Sequence, residues 1–193
     1  MNAPTLPEGY RQIEELDFVK SRRDWVIVNA SAVAIMIALA LFGLAIAPIG
    51  PAWRFLEAHL WTWFLLAAMC VGYIYLHELT HGVCMKRLSG VKPSYGFKFG
   101  YAYAGSDVYF DRNSHRLIAL APVALWGAVL AVVCAAVPKE CFWMFYIVQI
   151  ANVSGAAGDI YCAIHLSRLP EDILIQDTGT RMRVFAPAAR GEE

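Results

Sequence analysis

The residues best suited to chemistry are His77 and His81, which flank Glu78 in the motif His77-Glu78-Leu79-Thr80-His81. On an α-helix, residues four apart lie one above the other, so both imidazoles would face the same way and could bind one Zn²⁺. Glu78 would lie beside the water that completes the zinc coordination, where a carboxylate can take a proton as the water attacks a carbonyl carbon. The motif therefore predicts zinc metalloprotease chemistry, with one catalytic Zn²⁺ and Glu78 as general base and then general acid.

The surroundings of the motif favour a functional origin over chance. Hydrophobic residues make up 59% of the chain and charged residues 17%, which is typical of a membrane protein rather than an ordinary soluble domain. Two histidines and a glutamate at the end of a membrane helix are costly to desolvate, so ionisable groups at such depth usually serve a function. The alternative is that these side chains lie at the membrane interface and extend to water.

Four apolar stretches are long enough to cross a hydrocarbon core of about 30 Å. We expect these spans at about residues 25–48, 60–88, 117–137 and 141–166. They form a membrane domain over residues 25–166, preceded at 1–24 by a cytoplasmic tail with an interfacial helix and followed at 167–193 by a cytoplasmic tail. The predicted fold class is an α-helical integral membrane protein with four transmembrane helices.

A β-hairpin is predicted between the second and third helices, at about residues 91–115. Aromatic residues alternate with small or basic ones from Tyr95 to Ala104, and a period of two is typical of a strand. Gly105-Ser106-Asp107 would supply the turn, and Val108-Tyr109-Phe110 would return as the partner strand. We expect either an aromatic belt at the lipid headgroups or an edge that pairs with an extended substrate, and both roles are compatible.

The basic residues predict the orientation of the chain. Lys and Arg number four before the first span, one in the first loop, six between the second and third spans, one in the next loop and four at the end. This alternation follows the positive-inside rule for a multi-pass protein of the cell membrane with both termini in the cytoplasm. The formal net charge of zero leaves no domain-wide basic excess to neutralise phosphates, which excludes nucleic acid as an expected partner.

Depth in the membrane selects a third zinc ligand. His77 and His81 lie well below the outer end of their predicted helix, and Asp159 lies at a similar depth in the fourth; at 1.5 Å per residue both levels are roughly 27 Å down. Asn152, Gly155 and Asp159 are spaced three and four apart, so they share one face of the predicted fourth helix. Asp159 is therefore the favoured ligand, with His165 and His115 as alternatives.

These residues resemble a known family. The HELTH motif in a membrane helix, Leu120-Ala121-Pro122 and the element from Asn152 to Asp159 resemble the putative zincin peptidase family of small bacterial membrane proteins. That family is similar to site-2 proteases, which cut substrates within the membrane. The resemblance runs from about Leu6 to Phe185. The Asn-Pro-x-Pro-x-x-Asp-Gly form of the site-2 protease element is absent, because Ala156-Ala157-Gly158-Asp159-Ile160 stands in its place.

The resemblance implies a role for each of five residues. His77, His81 and Asp159 would bind the zinc, Glu78 would be the catalytic residue, and a hairpin at about residues 95 to 110 would lie beside the site. Asn152 would bind the oxyanion or a substrate backbone.

We therefore expect a zinc-dependent intramembrane or membrane-proximal peptidase that hydrolyses a peptide bond through a zinc-activated water. Its partners would be the lipid bilayer and a peptide or membrane-protein substrate, and a separate regulatory chain could gate it. Two alternatives stay open. One is a non-catalytic scaffold or regulator stabilised by zinc, and the other is a zinc hydrolase with a lipid-linked substrate, since carbonyl activation is common to both hydrolases.

Overall fold

The computed structural model describes residues 2–17, 21–98 and 101–188 of the chain. The helices of this part of the chain are α1 (Arg22–Ile46), α2 (Ile49–Ala58), α3 (Trp61–Ser89), α4 (Arg112–Ala136), α5 (Lys139–Gly155) and α6 (Ala157–Ser167). Its strands are β1 (Tyr10–Leu16), β2 (Ser94–Lys98), β3 (Tyr101–Gly105), β4 (Tyr109–Asp111), β5 (Leu174–Asp177) and β6 (Met182–Pro187).

Within the described part of the chain, four helices are long and apolar enough to cross a membrane: α1, α3, α4, and α5 with α6 counted together as Lys139–Ser167. Only 6% of the most apolar stretch of α1, and 11% of that of α3, is buried within the protein. Such continuous apolar surface is unfavourable in water and is stabilised by a lipid environment. The composition and length of the helices therefore fit the predicted multi-pass membrane protein.

The predicted fourth span at 141–166 is interrupted, which the sequence pattern did not predict. The helix α5 ends at Gly155, and Ala156 has φ −77° and ψ 9° before α6 begins. Glycine has a low helix propensity, and a backbone near ψ 0° leaves the regular helix. The helical face expected for Asn152, Gly155 and Asp159 is interrupted at this point, and Asp159 lies in the first turn of α6.

The N-terminal segment is a strand, so the predicted interfacial helix within residues 1–24 is wrong. Tyr10–Leu16 forms β1, which pairs antiparallel with β6 near the other end of the chain. Ile13 lies where the register shifts between Gln12 and Glu14 and remains 45% exposed. The apolar spacing therefore does not mark the buried face of a helix. Pairing with β6, which is distant in sequence, determines the conformation of this segment instead.

The segment predicted as a tail at 167–193 contains two strands of a sheet. The strands β1, β6, β5 and β4 form a four-stranded antiparallel sheet in that order. Residues 174–177 and 182–187 of this segment are therefore folded, and their strands supply the centre of the sheet. A sequence window cannot reveal this pairing, since the neighbouring strands come from both ends of the chain and from the segment before α4.

A hairpin is present between α3 and α4, but its turn is not where the sequence predicted it. The strands β2 and β3 pair with each other, with Lys98 opposite Tyr101. Residues 99 and 100 lie outside the described residues. The predicted turn at Gly105-Ser106-Asp107 instead leads into β4, which pairs with β5. The sequence pattern predicts one strand from Tyr95 to Ala104. In the structure this run forms two strands that pair with each other.

The chain divides into two compact units. Unit 1 comprises Met1–Trp25, Glu78–Ala121 and Asp159–Glu193, and unit 2 comprises Val26–His77 and Pro122–Gly158. In unit 1, the four-stranded sheet packs on α6 through one hydrophobic cluster made of Leu16, Cys162, Leu166, Ile173, Ile175, Met182 and Val184. The sheet thus holds the helix that carries Asp159.

In unit 2, aromatic residues of α5 pack against α1 and α2. Trp143 and Tyr146 form a buried cluster with Ala52 of α2, and Tyr146 donates a hydrogen bond to the Leu39 carbonyl of α1 at 2.8 Å. The Tyr146 ring lies so close to Gly43 that a Cβ there would overlap it. The absence of a side chain at Gly43 therefore makes room for the Tyr146 ring against α1.

Replacing Gly43 by Ala is expected to lower the free energy of unfolding by about 1–3 kcal/mol, because the added methyl group must displace a packed aromatic ring. Thermal unfolding in detergent measures this change. The matched control is Gly72→Ala on α3, where a Cβ would meet nothing within 4 Å. The control is expected to be neutral or to stabilise by up to about 1 kcal/mol through helix propensity. Equal stability of the two variants would contradict the packing contact.

Candidate metal centre

The three motif residues lie on α3, one of the long apolar helices. Within α3, His77 and His81 are one turn apart, and each is less than one-tenth exposed. Glu78 retains partial exposure. The helix ends at Ser89. The next residue, Gly90, has a φ of +74° that suits a glycine C-terminal cap, and its N–H donates to the Lys86 carbonyl at 2.8 Å. The i, i+4 spacing of the motif therefore places both imidazoles on one face of the helix, and both are buried there.

His77, His81 and Asp159 form a group that could hold a metal ion. Each offers one ligand atom, and these atoms lie within 4.8 Å of one another among the residues that the structure describes. Within unit 1, His81 Nε2 and Asp159 Oδ1 are 3.5 Å apart, which exceeds the usual length of an N–H···O hydrogen bond. Two ligands of a tetrahedral zinc ion are separated by about 3.3–3.5 Å, given bonds of about 2.0–2.2 Å. Two imidazole nitrogens and one carboxylate oxygen thus fit a catalytic zinc site.

The position of Asp159 near the start of α6 suits a charged ligand. The break at Ala156 begins a new helix two residues before this carboxylate. The unpaired N–H groups of a helix N-terminus carry a partial positive charge, which stabilises an anion in the first turn. The side chain is 28% exposed, so its burial is incomplete. The interruption of the fourth span therefore places this carboxylate in the first turn of α6, 3.5 Å from His81 Nε2.

His81 is oriented by a backbone carbonyl of α4. Its Nδ1 lies 2.9 Å from the Ile118 carbonyl, which can only accept, so Nδ1 carries the hydrogen and the Nε2 lone pair faces away. In a regular helix that carbonyl would accept from the N–H four residues on, but position 122 is Pro122. Pro122 therefore frees the Ile118 carbonyl for His81.

His77 is oriented by a side chain. The Tyr73 hydroxyl lies 2.8 Å from His77 Nδ1 and donates to Asn152 Oδ1 at 2.7 Å. Tyr73 and Ile118 were not predicted as functional residues. The signals that could have found them are a tyrosine one helical turn before His77 and a proline one turn after Ile118.

Asn152 is fully buried, at 0% exposure. Its Nδ2, the group that an oxyanion would need, is 3.4 Å from the Val123 carbonyl and 3.3 Å from Gln149 Oε1. A Cβ at Gly127 would lie 3.2 Å from the same Nδ2, so the glycine makes room for the amide. The predicted contact of Asn152 with an oxyanion or a substrate stays a prediction.

The alternative third ligands have other partners. His165 Nε2 lies 2.9 Å and 3.0 Å from the two carboxylate oxygens of Glu14 on β1. His115 Nε2 lies 3.4 Å from Asp177 Oδ2, and the ring is 2% exposed. Neither histidine belongs to the group around His77 and His81 within the described residues. Of the three sequence candidates, Asp159 is the one that the structure brings to that group.

The hairpin touches α3 directly beside the motif. The Tyr95 hydroxyl of β2 lies against Gly82, the residue after His81, so closely that a Cβ at this glycine would overlap it. Phe97, two residues further along the same strand, is 74% exposed. Within unit 1, the hairpin therefore contacts the same turn of α3 that carries His81.

The comparisons with known proteins identify a family. A family model described as "Putative zincin peptidase" matches residues 70–174, more than half of the chain. A protein of Pyrococcus woesei with the name "Uncharacterized 24.7 kDa protein in gap 5'region" is 32% identical over 115 residues. That alignment covers 57% of this chain and 50% of the Pyrococcus protein, so the chain spans about half the length of this curated relative. No solved structure matches.

Replacing Pro122 by Ala tests how His81 is oriented. The new backbone N–H would compete with His81 for the Ile118 carbonyl, so we expect zinc affinity to fall by up to about tenfold. The helix itself should be no less stable, because alanine is the better helix former. Chelator competition measures the affinity, and thermal unfolding of the zinc-free protein measures the stability. Pro138→Ala, at the N-cap of α5, is the control. Unchanged affinity in Pro122→Ala would exclude this role of the proline.

Proposed function

Because this chain belongs to the putative zincin peptidase family, we propose that it is a membrane zinc peptidase that hydrolyses a peptide bond within or near the membrane. The observation that carries this proposal is the grouping of ligand atoms from His77, His81 and Asp159 next to Glu78. Two neutral imidazoles, one carboxylate and an adjacent second carboxylate are the parts that a zinc peptidase requires.

Each residue has a proposed role. His77, His81 and Asp159 hold one catalytic Zn²⁺, which when bound lowers the pKa of a water and polarises the scissile carbonyl. Glu78 follows His77 directly in α3 and is partly exposed, so it can take a proton from the attacking water and return it to the leaving amine. The buried positions of the two histidines keep bulk water away from their rings.

The proposed substrate is an extended peptide or a segment of a membrane protein. Contact between Tyr95 and Gly82 brings β2 to the turn of α3 that carries His81, which supports a role of this strand in binding a peptide backbone. The distribution of basic residues supports a cell-membrane location with both termini in the cytoplasm, and the reaction on that side. A separate regulatory chain could control access.

Zinc content tests the site. Elemental analysis of protein purified in detergent is expected to find about one zinc per chain in the wild type and in Glu78→Gln, and little in Asp159→Ala. Asp172→Ala is the control, because Asp172 is exposed and outside the grouped ligands. A wild-type protein without zinc under non-chelating conditions would refute the metallopeptidase proposal. Zinc retained in Asp159→Ala would remove Asp159 from the ligand set.

Activity separates a peptidase from a zinc-stabilised scaffold. Glu78→Gln is expected to keep its zinc and its thermal stability but to lose at least about 100-fold in peptide hydrolysis, because a general base contributes about 10²–10⁴-fold to the rate. Cleavage of a library of transmembrane peptides in vesicles, followed by mass spectrometry, measures this loss. If the wild type binds zinc and cleaves none of these peptides, the scaffold or the lipid-linked substrate becomes the better explanation.

A further inference from the structure

A chain of buried polar groups leads from α4 and α5 to His77. The Tyr73 hydroxyl lies one helical turn before His77 and bridges His77 Nδ1, at 2.8 Å, to Asn152 Oδ1, at 2.7 Å. Tyr73 is 8% exposed, and Asn152 is fully buried. All three residues belong to unit 2. Hydrogen bonds in such a low-dielectric setting are stronger than in water, and an unmade one is costly.

The orientation of the Asn152 amide follows from groups that can only accept or only donate. Gln149 Nε2 donates to the Gly127 carbonyl at 3.2 Å, so Gln149 Oε1 faces Asn152. Asn152 Nδ2 faces both that oxygen and the Val123 carbonyl, two acceptors. With Nδ2 on that side, Oδ1 must face Tyr73.

The direction of the remaining hydrogen bonds is then determined. A tyrosine hydroxyl has a single hydrogen, and Tyr73 gives it to Asn152 Oδ1. Its oxygen therefore accepts from His77, so the hydrogen of the neutral His77 imidazole is on Nδ1. The lone pair of His77 is then on Nε2. His81 also carries a hydrogen on Nδ1, because that nitrogen faces the Ile118 carbonyl.

We propose that Tyr73, held by Asn152, is the positioning residue that presents His77 as a zinc ligand through Nε2. The inference rests on the proposed zinc site and assigns Asn152 the role of holding the Tyr73 hydroxyl. Partners that bind the second nitrogen of a metal-ligating histidine set its tautomer and ring orientation. Tyr73 performs this function with its hydroxyl group.

The hydroxyl can be removed without the ring. Tyr73 also packs in a hydrophobic cluster with Leu130 and Val148, and Tyr73→Phe preserves those contacts. We expect this variant to lose about 10–100-fold in zinc affinity, measured by chelator competition on the full chain in detergent. Tyr75→Phe is the matched control, because it makes the same change on the same helix at a residue that is 68% exposed. The control should bind zinc as the wild type does.

A double-mutant cycle tests whether Asn152 acts through Tyr73. Asn152→Ala should weaken zinc binding, and the combination of Asn152→Ala with Tyr73→Phe should bind zinc no more weakly than Tyr73→Phe alone. Losses that multiply in the double variant would overturn the part of the proposal that makes Asn152 the anchor of Tyr73.

The tautomer gives a readout that needs no metal. In zinc-free protein with ¹⁵N-labelled histidine, the His77 signals, identified by their absence in His77→Gln, should show hydrogen on Nδ1 in the wild type and in Tyr75→Phe. In Tyr73→Phe they should shift toward a mixture of tautomers. Unchanged signals and unchanged zinc affinity in Tyr73→Phe would overturn the inference but leave the zinc site intact. A wild type that binds no zinc would instead remove the proposed function and this inference together.

Discussion

The cost of burying ionisable side chains governs the arrangement around His77 and His81. Both imidazoles lie in an apolar helix and are less than one-tenth exposed. A buried polar nitrogen without a partner costs about 1–3 kcal/mol, so each ring needs hydrogen-bond acceptors in fixed positions. The Tyr73 hydroxyl and the Ile118 carbonyl fill this requirement, one for each Nδ1. In the proposed site, these two contacts at Nδ1 make Nε2 the metal-binding nitrogen of each ring.

Two irregularities in the helices supply groups that regular helices would not. Pro122 lacks an N–H and leaves the Ile118 carbonyl without its helical donor, which makes the carbonyl available to His81. The break at Ala156 places Asp159 in the first turn of a new helix, where a negative charge is favourable. Each irregularity weakens a helix locally, and each one supports a residue of the candidate site. Their position beside the site therefore has a chemical explanation.

The four-stranded sheet supports the helix that carries Asp159. Its buried face packs on Cys162 and Leu166 of α6, on the helix that begins two residues before Asp159. The strands come from residues 10–16, 109–111, 174–177 and 182–187, so segments distant in sequence combine to hold one short helix. Within unit 1, hydrophobic packing of this sheet therefore supports the helix that carries the carboxylate of Asp159.

The sequence alone determined the apolar helices and the motif residues, because both depend on local periodicity. The four long apolar stretches appear as helices near the predicted positions, and the i, i+4 spacing of His77 and His81 gives one helix face without any tertiary information. Asp159 was predicted from its depth along a regular helix, since the rise per residue is constant, and the structure places it in the group with His77 and His81.

Tertiary structure decided what local patterns cannot encode. The strand at Tyr10–Leu16 was predicted as a helix, and it takes its conformation from pairing with β6. The alternating aromatic run forms the two strands β2 and β3, which pair with each other. Tyr109 and Phe110, predicted to pair with that run, belong to β4 and pair with β5 instead. Tyr73 and Ile118 reach the histidines through hydrogen bonds that periodicity does not predict. The sequence thus predicted which residues could bind a metal, and tertiary structure decided which groups contact Nδ1 of each histidine, because these contacts depend on packing between helices and not on spacing along one helix.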